Sequence, residues 1–379
     1  MQNDIQTQLN KWLLSSIKQH ATIIYMKNHT TIKARVQSKL INITNDVITS
    51  ATLKEIIKLL VGKNTSELIQ KKELDGVYKI SSEQRFRYHI FAHNQGYSII
   101  FRFMPSKIKT LKELHLPECL EHIINLNSGF VLIASESGHG KSSTLSSIVN
   151  TINHKYIKHI ITIEDPIEYT YKDIKSIIEQ KEIPTHIPDI SHIAKSIAKE
   201  SPDIVVIDKV DNATIAKQII DLLSSGYMVI ATIDAINTKD IIHKFLDYFD
   251  AYMKPQARYM LTHMLKATIV QKLIPNKNNE QVPLIEIMFQ SKATQEMIRN
   301  QEENQLYKAI EKDSQTIDSI TFEQSLDKLY KAGQITKDTV MQYNIKYKDD
   351  KDYKKQLRES NDIYDTYDSY DIVTDYSIK

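Results

Sequence analysis

Two rhythms of hydrophobic and polar positions divide the chain near residue 105. Upstream, short β-like runs dominate. Arg85-Phe86-Arg87-Tyr88-His89-Ile90-Phe91 and Tyr97 to Phe103 alternate about the turn Ala92 to Gly96, the pattern of a hairpin. Met104-Pro105-Ser106-Lys107 breaks the alternation and reads as a linker. Downstream, helical and strand signals take turns. Leu116, Cys119, Leu120, Ile123 and Ile124 keep i, i+3, i+4 spacing with Pro117 in the first turn, which predicts a helix. Phe130 to Ala134 reads as a strand, and Leu145, Ile148, Val149 and Ile152 mark the next helix. His159 to Glu164 reads as a strand, and Ile190, Ile193, Ala194 and Ile197 as a helix. Asp203 to Asp208 and Tyr227 to Ile233 are further strands, separated by a helix around Ile215 to Leu223. This alternation predicts a mainly parallel α/β core. From Lys239 to Asn344 the periodicity is mostly helical. Asn361 to Lys379 sets Tyr364, Tyr367, Tyr370 and Tyr376 among five aspartates and reads as a disordered acidic tail. The expected division is therefore an N-terminal domain over 1–104, a linker over 105–115, a core with a helical C-terminal part over 116–345, and a tail over 346–379.

Composition narrows the function classes. A chain of 379 residues has room for two or three domains. Its 49 basic and 47 acidic side chains leave a net charge of +2, which makes no electrostatic case for a nucleic-acid or acidic-membrane partner. The single cysteine, Cys119, excludes an intrachain disulfide and a cysteine-rich metal site, in keeping with a reducing compartment. The first twenty residues are amphipathic and polar and lack a leader's basic and apolar regions. No apolar run reaches the ~20 residues that a membrane span needs. A cytoplasmic protein is expected.

Glycine is scarce, 8 in 379 residues against a usual ~7%. Yet Gly129, Gly138 and Gly140 fall within twelve residues, which points to a backbone of unusual dihedrals or to close approach of a ligand. The second and third belong to Ser135-Glu136-Ser137-Gly138-His139-Gly140-Lys141-Ser142, between an apolar strand and an amphipathic helix. A plain Gly/Ser turn is the simpler reading of the same residues, and the strand-before, helix-after context decides for a phosphate-binding P-loop. Backbone amides at the helix N-terminus, continuing to Ser143, can wrap a phosphate. Lys141 would reach the β/γ-phosphates of ATP, and the Ser142 hydroxyl would hold Mg²⁺. Ser135 replaces the usual first glycine. A second constellation, Thr162-Ile163-Glu164-Asp165-Pro166-Ile167-Glu168-Tyr169, follows a strand, so its carboxylates should emerge at the same sheet edge. By itself it reads as a solvated acidic turn. Beside a P-loop, Glu164 or Glu168 could polarise water or organise the metal shell.

The order of Arg-Phe-Arg, Phe-Arg-x-x-Pro-Ser-Lys, the P-loop, Ile-Thr-Ile-Glu-Asp-Pro-Ile-Glu-Tyr and Ser-Pro-Asp-Ile-Val-Val-Ile resembles the type IV pilus retraction ATPases (PilT/PilU type) of the secretion-ATPase superfamily. The resemblance runs on through Leu265 to Pro275 and Thr321 to Leu326, covering about residues 80–345, with a faint extension over the first 80. The C-terminal portion and long tail look more like the accessory type (PilU). The resemblance implies an N-terminal PAS-like α+β domain, a RecA-like P-loop NTPase core and a helical C-terminal region. It implies a hexamer, homomeric or mixed with another retraction ATPase, at the cytoplasmic face of the inner membrane. There it would work through a platform protein, with no nucleic acid. Carried over by position, the catalytic glutamate falls on Glu168 and the two phosphate-contacting arginines on Arg87 and Arg102, on opposite strands of the expected hairpin.

Departures accompany the matches. The family's Walker B glutamate falls on Lys209, a charge reversal beside the expected Mg²⁺. An unrelieved cation pair at contact distance would cost roughly double the ~4 kcal/mol of two unit charges. Asp208, ending an apolar strand, stands where many other P-loop NTPases have the Walker B aspartate and is a candidate catalytic and metal-binding residue. The two histidines of the family's His box fall on Tyr227 and Asp234, and two further arginines on Lys195 and Lys199. The Ala-Ile-Arg-Asn-Leu-Ile-Arg-Glu signature is reduced to Ala293-Thr294-Gln295-Glu296-Met297-Ile298-Arg299-Asn300. Together these changes point to relaxed selection on hydrolysis or to a rewired site. Two readings stay open: a retraction motor that hydrolyses ATP, and a hydrolytically weak nucleotide-binding accessory subunit. An assembly or secretion ATPase of the same superfamily is a third, disfavoured because one cysteine cannot build the tetracysteine zinc site typical of that class.

Overall fold

The computed structural model describes residues 2–343 apart from 37, 38, 63 and 82, so the expected acidic tail at 346–379 and the last two residues of the expected core lie outside the described residues. Two sheets organise the chain. The first is built from α1 (Gln2–Lys18), β1 (Ala21–Lys27), β2 (Thr31–Val36), β3 (Lys39–Val47), α2 (Ser50–Val61), α3 (Thr65–Lys71), β4 (Glu73–Lys79), β5 (Gln84–His93) and β6 (Gly96–Pro105). Its strand order is β3-β2-β1-β6-β5-β4, antiparallel at every pairing. Ile5, Leu9 and Leu13, four residues apart on α1, join Leu53 and Ile56 of α2 in the core over this sheet. The expected hairpin is present with a tighter turn than the pattern implied. β5 runs to His93 and β6 starts at Gly96, whose φ of +119° is one that side chains avoid. Met104 and Pro105 belong to β6 rather than to a linker, because Met104 is buried.

The second sheet follows a short 3₁₀ turn, Glu118–Leu120, and α4 (Glu121–Ile124), a shorter helix than the spacing from Leu116 suggested. It comprises β7 (Gly129–Ala134), α5 (Lys141–Lys155), β8 (His159–Glu164), β9 (Ile177–Glu182), α6 (Ile193–Glu200), β10 (Ile204–Val210), α7 (Ala213–Ser224), β11 (Met228–Ile233), α8 (Thr238–Asp247), α9 (Lys254–Met264), β12 (Leu265–Pro275) and β13 (Gln281–Phe289). After it come α10 (Lys292–Arg299), a 3₁₀ turn Glu303–Gln305, α11 (Leu306–Asp313), α12 (Phe322–Lys331) and α13 (Lys337–Tyr343). Strand order is β13-β12-β7-β11-β10-β8-β9, parallel except for the β12–β13 pair. The central strands are apolar at nearly every position because helices cover both faces. Phe130, Leu132 and Ala134 enter the core shared with α7, α8 and α9, while Val131 and Ile133 enter the one shared with α4 and α5.

Two elements were not foreseen. The stretch from Lys239 to Asn344 carries the expected helices, α8 to α13, but it also holds a nine-pair antiparallel hairpin, Leu265–Pro275 with Gln281–Phe289. Both runs are buried on two faces, so they lack the alternation that identifies a half-exposed strand. The strand β9 was missed for the opposite reason, being a short polar edge. Among the described residues, no helix is long and apolar enough to cross a membrane.

Candidate functional site

β7 delivers the chain into the loop 135–140 and α5 carries it away, with Gly140 as the residue before the helix. Gly138 and Gly140 take φ of +83° and +86°. A Cβ on Gly140 would also come within 2.7 Å of Gln271 Nε2, so this position is closed to side chains twice over. Ser135 lies outside the positive-φ residues, which explains why serine is accepted there; its buried hydroxyl donates to Glu136 O at 2.6 Å. Glu136, Ser137 and Gly138 are exposed at the crest of the loop.

The loop is clamped from the neighbouring strand by a residue that the sequence reading passed over. Gln271 of β12, buried, accepts from Thr144 Oγ1 at 2.6 Å and donates to His139 O at 2.8 Å. The Leu273 amide donates to His139 Nδ1 at 2.9 Å. A lone amide in an apolar run was the available signal, within a stretch whose periodicity reads as mostly helical. On the other side, the Ser143 hydroxyl meets Tyr169 OH at 2.9 Å.

Ser142, Thr162, Glu164, Glu168, Tyr169, Tyr171 and Asp208 line one recess, because β7, β8 and β10 are parallel and end at the same edge. Burial pushes the Asp208 carboxyl up to about 8, reinforced by the negative charges of Glu168 and Glu164 and opposed by Lys141 and Arg87. Burial also raises Glu164, although it accepts from Thr162 Oγ1 at 2.6 Å and Gln180 Nε2 at 2.9 Å. The recess therefore holds more carboxylate than counter-charge, a donor set that suits a divalent cation completed by other oxygens. Among the described residues, no three His, Cys, Asp or Glu side chains are arranged to hold a metal unaided.

The first sheet reaches this recess through its arginines. Arg87 and Arg102 are direct cross-strand partners on β5 and β6. Arg87 lies 3.8 Å from Asp75, and its charge is felt at Asp165 and Asp208. Arg102 is exposed. Arg85, quoted in the Arg-Phe-Arg motif but given no role, is the buried one: it donates to Ile167 O at 3.0 Å and to Glu168 O. It ties the first sheet to the backbone that carries Glu168.

The substituted positions separate. Tyr227 precedes β11 and Asp234 follows it, so the strand holds them at opposite edges and only Asp234 meets the P-loop. Lys141 Nζ donates to Ser135 O at 2.8 Å and pairs with Asp234 Oδ1, whose other oxygen lies 3.0 Å from Lys209 Nζ. The cation expected to stand unrelieved at 209 is thus compensated. Lys195 and Lys199 are exposed on α6.

A six-strand parallel core in the order β12-β7-β11-β10-β8-β9, a glycine loop ahead of α5 and acidic groups at the same edge define a RecA-like P-loop nucleotide-binding protein. The chain belongs to the type II/IV secretion system protein family, whose match spans residues 2–346. It is similar to the type IV pilus retraction ATPase PilT of Pseudomonas aeruginosa, 29% identical over 68% of this chain and 74% of that one. It is similar also to a twitching motility protein of Neisseria gonorrhoeae, 30% identical over 70% and 71%. Among solved structures, that of the pilus retraction motor PilT with bound ADP superimposes with a TM-score of 0.77 at 26% identity, covering 86% of this chain and 94% of the other.

Proposed function

We propose that this protein is an ATP-hydrolysing motor subunit of the type IV pilus retraction, or twitching, machinery. The observation that carries the reading is the recess in which Ser142 shares a lining with Glu164, Glu168 and Asp208, with the charges of Lys141 and of Arg87 of the first sheet acting on Asp208. The amides at the start of α5 and Lys141 bind the β- and γ-phosphates. Ser142 and Asp208 hold Mg²⁺, which supplies charge neutralisation to the phosphates. Glu168 accepts a proton from the attacking water, with Glu164 fixed by Thr162 and Gln180 as its neighbour. Arg87 and Arg102 offset charge developing at the γ-phosphate. In this reading the N-terminal domain expected over 1–104 runs on to the end of β6 at Pro105, 106–115 is the linker and 116–345 the ATPase core. Nucleotide turnover at their junction moves one against the other. The working form is a hexameric ring, of this chain alone or mixed with a second retraction ATPase, at the cytoplasmic face of the inner membrane and acting through a platform protein.

Mg²⁺-dependent phosphate release by the full chain tests the proposal. Glu168→Gln is expected to lower turnover by ~10²–10⁴-fold while keeping nucleotide affinity, and Lys141→Ala to abolish binding of fluorescent mant-ADP. Wild type that binds nucleotide without turning it over would replace the motor reading by that of a structural accessory subunit. Binding unchanged by Lys141→Ala would sink the P-loop assignment itself.

A further inference from the structure

The lysine that any bound phosphate must recruit is already engaged by a carboxylate. Asp234 stands directly after β11, beside the end of β10, with Ile233 in register with Val210. One carboxylate therefore bridges two ammonium groups: Lys141 through Oδ1, and Lys209, at 3.0 Å, through Oδ2. The backbone of Asp234 is pinned as well, since Lys244 Nζ donates to its carbonyl at 2.9 Å. Burial would raise the Asp234 carboxyl, and the bonds from Lys141 and Lys209 outweigh it and hold the group below its usual range.

The charges at the two positions complement each other. A carboxylate in contact with the P-loop lysine would stand beside a polyanionic phosphate once that lysine turned to the ligand. With Lys209 bound to it, the carboxylate presents a neutral pair. Lys209 alone would add a cation at the end of β10, and Asp234 alone would add an anion. Neither residue makes sense without the other.

Resting on the nucleotide-binding reading above, we propose that Asp234 and Lys209 are positioning residues that work as one charge couple on the P-loop. Asp234 stores the Lys141 ammonium against Ser135 O while no phosphate is present. Lys209 takes over the carboxylate when Lys141 swings to the phosphates of a nucleoside di- or triphosphate. The position held by a glutamate in the resembled ATPases is thus not a damaged catalytic residue, and restoring the glutamate should make matters worse by facing two carboxylates.

Titration of the full chain with mant-ADP tests this through the sign of the effects. Lys209→Ala leaves a lone anion beside the phosphates and should weaken binding on the order of ten-fold; Asp234→Asn frees Lys141 and should tighten it by a similar factor. In the double variant Lys209→Ala/Asp234→Asn no anion is left for Lys209 to neutralise. It should therefore bind more tightly than wild type, and far more tightly than the Lys209→Ala effect added to the Asp234→Asn effect would give, whereas strictly additive effects overturn the couple. Lys209→Glu should bind more weakly than Lys209→Ala. A merely structural role would move both single variants the same way, and that result overturns the proposal, as does tighter binding or faster turnover in Lys209→Glu. Thermal unfolding of each variant identifies any that fails to fold, and the double variant keeps the test decisive if a single one does. Wild type that does not bind mant-ADP removes the nucleotide reading itself, which distinguishes that failure from this one.

Discussion

Arg85 offers the most direct test of how the first sheet controls the acidic recess. Its guanidinium is buried to 4% exposure and makes two donated bonds to consecutive carbonyls, those of Ile167 and Glu168. Hydrogen bonds from a charged donor contribute ~1.5–3 kcal/mol each, so Arg85→Ala removes about 3–6 kcal/mol in gross terms. Part of that is returned, because burial disfavours this charged group, as its lowered pKa shows, with Glu164 and Glu182 opposing the shift. A net loss of ~2–3 kcal/mol is expected for Arg85→Ala in urea unfolding. Arg85→Lys is the sharper probe, since a lysine keeps the charge and cannot span both carbonyls. The loop at Ile167-Glu168 then loses one of its two ties to Arg85, and a shift of about 1 Å in a reacting group costs up to ~10²-fold in rate. Turnover should fall by that order while mant-ADP affinity changes less than about three-fold, because Arg85 acts through Glu168 and not on the P-loop. Arg85→Lys with wild-type turnover would show that the arginine is only a staple between sheets. Loss of affinity in step with turnover would show that it acts on the P-loop instead.

Two further predictions concern buried polar groups around the site. Gln271→Leu strands Thr144 Oγ1 and the His139 carbonyl and should destabilise by ~2–4 kcal/mol in urea unfolding; adding Thr144→Val should restore part of that loss, because removing both partners costs less than removing one. No recovery in the double variant would mean that the clamp acts through packing. Glu286, 4% exposed, accepts from the Thr238 amide at 2.8 Å, and burial raises its pKa. A carboxyl raised on folding stabilises most below its unfolded pKa and loses that contribution as pH climbs through the folded value. Glu286→Gln should therefore unfold at a higher temperature than wild type at pH 8, with the gap closing near pH 4; a gap independent of pH would refute the assignment to ionisation.

The hairpin β12–β13 and the pairing of Lys209 with Asp234 went unread in the sequence for different physical reasons. Periodicity assigns a strand when one face is wet. β12 and β13 are dry on both, so Thr268-Ile269-Val270 and Leu284-Ile285 gave no alternation to detect. The pairing of charged positions at the site went unread because a resemblance carried over position by position weighs residues singly. Lys209 and Asp234 each looked like a loss, and only the parallel register of β10 and β11 shows them as partners.

Local chemistry, then, was determined by the sequence alone. Glycines at 138 and 140 between an apolar strand and an amphipathic helix point to a P-loop, and the backbone there takes φ values that side chains resist. The alternation of strands and helices likewise settled the parallel core, because each apolar run had to be covered on two faces. What the tertiary structure decided is every relation across long separations. Arg85 reaches a loop 82 residues away, Gln271 clamps a loop 132 residues before it, and Asp234 meets Lys141 across 93. Such contacts leave no periodic trace, because they depend on which strands the sheet sets side by side and at which edge those strands end.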